Sequence, residues 1–237
     1  MNLILLETGQ SVAENRYRLS PRQARHVDAV LGAAPGDTLR CGLLGGQRGS
    51  GILRHAGEHR ELEVSLTEAP PAPLPLTLIL ALPRPKMLKR MLIDATSLGI
   101  KQIVLLNSWK VDKSYWQTPE LKADLLQEKL RLGLEQAGDT VLPTLSLAKR
   151  FKPFVEDELP ALSADSRCIL ADPCADQYMP CELAEPVTLA IGPEGGWTDY
   201  ERETLLAHGF QGYQLGKRIL RSETALPTLV GRLMHLA

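Results

Sequence analysis

Leu189-Ala190-Ile191-Gly192-Pro193-Glu194-Gly195-Gly196-Trp197 is an apolar strand that breaks into glycine and then opens a helix. Further on, Leu215-Gly216-Lys217-Arg218-Ile219-Leu220-Arg221-Ser222-Glu223-Thr224-Ala225 repeats the plan. Turns without side chains at apolar strand ends let backbone amides and carbonyls approach a planar ligand closely. Two of them in succession point to one composite pocket. Neither is a phosphate cradle, because no G-x-G-x-x-G follows a strand and no glycine loop ends in Gly-Lys-Ser/Thr. A dinucleotide or nucleoside triphosphate is therefore disfavoured as the ligand.

The 237 residues exceed the usual single-domain length, and Pro70, Pro71, Pro73 and Pro75 write a hinge between two patterns. Residues 1–69 read as short strands (Leu3–Leu6, Tyr17–Leu19, Thr38–Leu43, Gly51–Arg54, Leu62–Leu66) around one helix from Pro21 to Leu31 capped by Ser20, which suggests a small β-barrel. Residues 70–75 are the linker. Residues 76–237 alternate strands (Leu76–Leu82, Ile103–Leu106, Cys168–Ala171, Val187–Ile191, Tyr213–Leu215) with helices (Lys86–Leu98, Pro119–Gln136, after Thr198, after Ser222), the pattern of an α/β parallel sheet covered by helices.

With 44% apolar and 23% charged residues the chain is not disordered, and no apolar run is long enough to span a membrane. The opening Met1–Glu7 lacks the basic start of a signal peptide, so a cytoplasmic protein is expected. Cys41, Cys168, Cys174 and Cys181 form no C-x-x-C pair and have no histidine at ligand spacing, so no metal is expected and the thiols read as reduced. The net charge of −1 hides local fields. Arg16, Arg18, Arg22, Arg25 and His26 form an acid-free run; Arg84, Lys86, Lys89, Arg90, Lys101, Lys110 and Lys113 face only Asp94 and Asp112. Both patches suit the neutralisation of RNA phosphates.

The two glycine segments closely resemble the bacterial 16S ribosomal RNA (uracil-N3)-methyltransferase family of the SPOUT superfamily. That resemblance implies a knotted methyltransferase domain, a parallel sheet with flanking helices and a trefoil knot, preceded by a PUA-like β-barrel that binds RNA. It implies S-adenosyl-L-methionine as cofactor, 16S ribosomal RNA or the small ribosomal subunit as partner, and a homodimer; the apolar stripe Leu226, Leu229, Val230, Leu233 and Leu236 on the last helix suits either a dimer face or core packing. The cofactor is expected among three loops, against Leu170 and Ala171, against Ile191, Gly192, Pro193, Glu194, Gly195 and Gly196, and against Leu215, Gly216, Arg218, Ile219 and Leu220.

Methylation of uracil N3 needs an acceptor for the N3 proton and a cation for the charge that spreads onto the flanking carbonyl oxygens. Glu223 and Arg221 meet that need as catalytic candidates, with Glu194 and Arg218 in reserve. An acid in the first turn of a helix is also favoured by the macrodipole, so Glu223 has a structural reading beside the catalytic one. Thr198 and Glu201 read as a capping box. Where the family usually carries lysine and glutamate this chain has Asp94 and Ser97, and where it usually has arginine this chain has Asp139; Ser222 stands where threonine is commoner. Acids on the expected RNA side keep two alternatives open: a SPOUT enzyme acting on another RNA or position, and a non-catalytic RNA-binding paralogue.

Overall fold

Strands β1 (Ile4–Leu6), β2 (Ser11–Ala13), β3 (Arg16–Arg18), β4 (Thr38–Leu43), β5 (Arg48–Ala56) and β6 (His59–Glu68) pair in the order β1-β4-β5-β6-β3-β2 in the computed structural model, which describes residues 2–235. β1 runs parallel to β4, and the remaining neighbours are antiparallel. Alternate residues of these strands turn inward, so that Cys41, Leu53, Leu62 and Val64 meet Ile4, Leu6, Leu19 and Val27 in one core. Leu3 and Leu5 point the other way and pack on Leu134. β1 is thus apolar on both faces, which is why its sequence does not alternate. Helix α1 (Pro21–His26) starts as expected at Ser20: its hydroxyl accepts from Gln23 N, the Gln23 side chain caps in return, and Pro21 takes the first position. The helix then widens into a π-turn over Val27–Leu31. The compact unit holds the chain up to Ala72 together with Arg131–Leu142. In that returning segment the Glu135 carbonyl accepts Asn2 N at 2.9 Å and Leu3 N at 3.1 Å.

The second unit, Pro73–Leu130 and the chain from Pro143 on, carries the alternating half. Its strands are β7 (Leu74–Ala81), β8 (Ile100–Leu106), β9 (Thr144–Ala148), β10 (Arg167–Ala171), β11 (Val187–Ile191) and β12 (Gln211–Tyr213), all parallel, in the order β12-β10-β11-β7-β8-β9. Helices α2 (Pro85–Ser97), α3 (Ala123–Ala137), α4 (Phe151–Pro153), α5 (Leu159–Ser163), α6 (Asp199–Ala207) and α7 (Ser222–Leu233) supply the connections and flanks. The sheet starts at β7 and grows first towards β9, then resumes on the other side through β11, β10 and β12. The order reverses between β7 and β11, the kind of position where open α/β sheets leave a ligand crevice.

Several boundaries differ from the sequence-based expectation. Leu74 and Pro75 already belong to β7 rather than to the linker; the register slips between Leu74 and Thr77, where proline has no amide to give the ladder. β12 ends at Tyr213, which puts Leu215 in the following loop. Pro119–Leu121 is a separate 3-10 turn before α3. β2, β9 and the 151–163 helical segments were not expected; β2 is a three-residue exposed edge and β9 is only partly buried, so neither has a strong apolar signature. The α7 stripe is spent within one chain, with Leu226, Leu229, Val230 and Leu233 all buried, while Leu236 lies outside the described residues.

Candidate active site

The parallel register builds the site. Ala171 at the end of β10 stands between Ile191 of β11 on one side and Tyr213 of β12 on the other. The three loops expected to hold a ligand therefore leave three adjacent strands at one level of the sheet. Leu170, Ile191 and Pro193 are buried at its floor. Gly196 (φ +71°) and Gly216 (φ +143°) adopt conformations that side chains resist, and a Cβ built on either meets nothing within 4 Å. Backbone at these two turns faces open space. Gly192 has a different reason: a Cβ there would lie 3.0 Å from Trp197 Nε1, so this glycine makes room for the buried indole.

Charged side chains fasten the loops. The Glu194 carboxylate meets Arg84, three residues past β7, accepting its backbone amide at 3.4 Å and standing 3.5 Å from Nε, so this reserve acid candidate bridges the switch point. Lys110 Nζ donates to Gly195 O at 2.9 Å and Trp197 O at 3.3 Å, while its stem would lie 3.1 Å from a Cβ on Gly195. Lys110 reads from sequence as a phosphate cation; in the fold it is a clamp on the glycine turn. Glu201 is buried and committed: Oε2 accepts Thr198 N and Thr198 Oγ1, and Oε1 accepts Trp109 N at 2.7 Å. The capping-box expectation holds, and the tie to the Trp109 turn adds a function that local spacing cannot reveal. Asp172, beyond β10, accepts Cys174 N at 2.9 Å and forms a charge contact with Arg202 (Nε to Oδ2, 2.9 Å) whose orientation is too poor for a hydrogen bond.

Arg221 and Glu223 flank the start of α7, 4.0 Å apart. Arg221 is 86% exposed and Glu223 23%. The cation stands in water and the carboxylate is half sheltered in the first helical turn, a disposition that serves the macrodipole and leaves both groups accessible to a ligand. Arg218 is exposed, Ile219 is 82% exposed, and Leu215, Gly216 and Leu220 are partly buried in the same loop. Pro227 inside α7 leaves the Glu223 carbonyl without its i+4 amide donor.

The expected RNA contacts divide. Arg22 grips the buried Glu135 carboxylate with both terminal nitrogens, and Arg18 stands 3.6 Å from Glu61. His26 Nε2 is buried and without a hydrogen-bond partner. Arg16 and Arg25 are exposed, with no carboxylate among the described residues within ion-pair distance, and so is Lys86 at the start of α2. Asp139 is buried, its carboxylate accepting Thr140 N and Val141 N; it caps a turn and does not lie on an RNA-facing surface. On Asp94, burial pushes the carboxyl pKa up while Arg90 pulls it back. Among the described residues no three or more His, Cys, Asp or Glu side chains gather as a metal would require.

Glycine turns at the neighbouring carboxyl ends of β11 and β12, next to the loop after β10 and with an exposed cation and a carboxylate beside them, fit an α/β enzyme of the group-transfer kind. Residues 70–234 match the RNA methyltransferase domain family, and the chain belongs to it. Ribosomal RNA small subunit methyltransferase E of Treponema pallidum is 32% identical over 95% of this chain and 87% of its own length. The protein of that name from Synechocystis is 29% identical over 95% and 74%. Among solved structures, ribosomal RNA small subunit methyltransferase E from Neisseria gonorrhoeae bound to S-adenosyl methionine covers 96% of this chain and 95% of its own at 24% identity, with a TM-score of 0.71. A predicted RNA methyltransferase from Thermotoga maritima gives 0.66 at 20% identity over 98% and 96%.

Proposed function

We propose that this chain methylates N3 of a specific uridine in 16S ribosomal RNA of the small subunit, with S-adenosyl-L-methionine as methyl donor. The observation that carries this reading is the register of Ala171 with Ile191 and Tyr213, which sets three ligand loops side by side. The open space over Gly196 and Gly216 suits a planar adenine held by backbone groups. The names of the Treponema and Synechocystis relatives supply the substrate class.

S-adenosylmethionine, when bound, would supply an electrophilic methyl group on a sulfonium sulfur, which keeps the electron pair of the broken S–CH3 bond and leaves as a neutral thioether. Backbone at Leu170, Ala171, Ile191–Gly196, Leu215, Gly216 and Arg218–Leu220 would hold and orient it, so that proximity would supply most of the rate. Glu223 takes the proton from uracil N3, the nitrogen that becomes methylated, and Arg221 stabilises the negative charge on the two flanking carbonyl oxygens.

The same reading makes the C-terminal unit a SPOUT domain with a trefoil knot. It is supported by the segment between β10 and β11, which bonds to Gln214 ahead of α7 (Met179 N to Gln214 O, 2.8 Å) and to the end of α7 (Leu183 N to Leu233 O, 2.8 Å). The curled N-terminal sheet is then a PUA-like domain over residues 1–69 that binds RNA through Arg16 and Arg25. A homodimer draws on exposed apolar side chains outside α7, such as Ile219 and Tyr178. Among the described residues no helix is long and apolar enough to cross a membrane, which suits work on ribosomes in the cytoplasm. Nucleoside mass spectrometry of 16S ribosomal RNA tests the proposal. Deleting the gene removes 3-methyluridine, and purified protein with S-adenosylmethionine restores it; 3-methyluridine that persists in the deletion refutes the assignment.

A further inference from the structure

We infer that Trp109 is a stacking surface for an unpaired base of the RNA substrate, an inference that rests on the RNA methyltransferase reading above. Trp109 is 85% exposed, although Ser108 and Val111 on either side are buried. Val111 N donates to Ser108 O at 3.0 Å, closing a turn with Trp109 and Lys110 at its corners. That turn is fastened at both corners, by Trp109 N on buried Glu201 and by Lys110 Nζ on Gly195 O and Trp197 O. An indole normally gains from burial and finds a partner for its ring. Here rigid backbone holds it in water.

Its position is set by register. Arg84 and Trp109 each stand three residues past the pair Ala81–Leu106, and Glu194 stands three past Ile191, the partner of Leu80. The indole therefore shares the carboxyl edge with the glycine turns, and its turn bonds directly to two of their residues. Tyr200, the residue before Glu201, is a second exposed aromatic on that edge, with its ring 6.3 Å from that of Phe151. Lys86 is exposed in the first turn of α2, beyond β7, and Lys113 at the start of the 3-10 turn beyond β8. An exposed aromatic plane on a sheet edge that also carries exposed cations matches a nucleobase with its phosphates better than an apolar protein surface, which would leave the lysines unpaired. The chemistry asks for unpaired RNA at the site: N3 lies on the pairing edge of uracil, so the target base must be out of its pair to react, and a base freed in this way can use an aromatic plane to stack on.

The test measures three quantities on Trp109→Ala and Trp109→Phe: affinity for a short single-stranded oligouridylate, KM for 16S ribosomal RNA, and affinity for S-adenosylmethionine. The alanine variant weakens oligouridylate binding by about fivefold or more and raises KM correspondingly, the lower end of what one stacked base contributes. The phenylalanine variant recovers most of the loss. Because stacking neutralises no phosphate, the slope of log affinity against log salt stays at the parent's value, and cofactor affinity does not move. Unchanged RNA affinity in Trp109→Ala, a changed salt slope, or loss accompanied by dissociation of a dimer in sedimentation overturns the inference. If the parent binds oligouridylate through Trp109 yet leaves 16S ribosomal RNA unmethylated, the proposed reaction fails and the stacking site stands.

Discussion

Arg22→Met is expected to destabilise the N-terminal unit by about 2 kcal/mol, although Arg22 lies on a surface that sequence assigns to RNA. Glu135 is 1% exposed, and its carboxylate faces two Arg22 nitrogens while the Arg22 side chain remains 47% exposed. Removing one partner of a fully buried pair costs ~3–5 kcal/mol, and removing one partner of an exposed pair costs ~0–1. One buried and one half-solvated partner fall between. Glu135→Gln in the same background removes the stranded charge, so the double variant recovers part of the loss, with a coupling of about 1–2 kcal/mol. Arg25→Met, which breaks no ion pair, changes stability by less than ~0.5 kcal/mol. Trp109, Trp116 and Trp197 all lie in the other unit, so indole fluorescence is the wrong probe. Hydrogen exchange of β5 and β6 peptides in urea reads the right unit, and with a slope of ~1–3 kcal/mol per molar the midpoint falls by roughly 1 M. Equal midpoints for Arg22→Met and Arg25→Met refute the argument. The result also decides how RNA binding is tested: loss of binding in a charge-reversed Arg22 reports a damaged fold, so the phosphate reading belongs to Arg16 and Arg25.

Gly216→Val forces a β-branched residue into φ +143°, a conformation that costs ~1–3 kcal/mol and displaces the loop; calorimetry should show at least about tenfold weaker S-adenosylmethionine binding with circular dichroism unchanged, and parental affinity excludes this loop from the cofactor site. Glu223→Gln keeps the shape and removes the proton acceptor, so kcat should fall by about 100- to 10,000-fold with cofactor affinity intact; an unchanged kcat leaves Glu223 as a helix-start acid only. Burial pushes the Cys41 thiol up to about 12, so iodoacetamide at about pH 8 should label exposed Cys174 and Cys181 and spare Cys41; early labelling of Cys41 means that the β4 core opens.

The sheet and its glycine turns are legible in sequence because both signals are local. Val187–Ile191 is an apolar run, broken only by Thr188 and bounded by proline and glycine, and it forms the fully buried β11 with those bounds. Ser20-Pro21 and Thr198-x-x-Glu201 fix their helix starts for the same reason. What escaped depends on chain returns. Residues 131–142 join the N-terminal unit through Leu134 and Glu135, side chains that local spacing assigns to one amphipathic helix of the other half. Charge in a linear patch says nothing about partners either: Arg22, Lys110 and Asp139 read as surface ions, yet each is committed to a buried carboxylate, loop carbonyls or turn amides.

That commitment separates support from chemistry at the carboxyl edge. Arg84 holds Glu194, Lys110 holds the glycine turn, Arg202 bridges Asp172 and Asp199, and Glu201 joins α6 to the Trp109 turn. Moving any of these groups to a ligand would break a contact that shapes a loop, so each is a poor candidate for taking a proton or facing developing charge. Among the described residues the Arg221 side chain has a 4.0 Å contact in water to give up, and such a pair is worth little. Glu194, the reserve acid, is thereby set behind Glu223, and the proposed catalytic pair, Arg221 and Glu223, is held among the described residues by its own 4.0 Å contact rather than by one that shapes a loop.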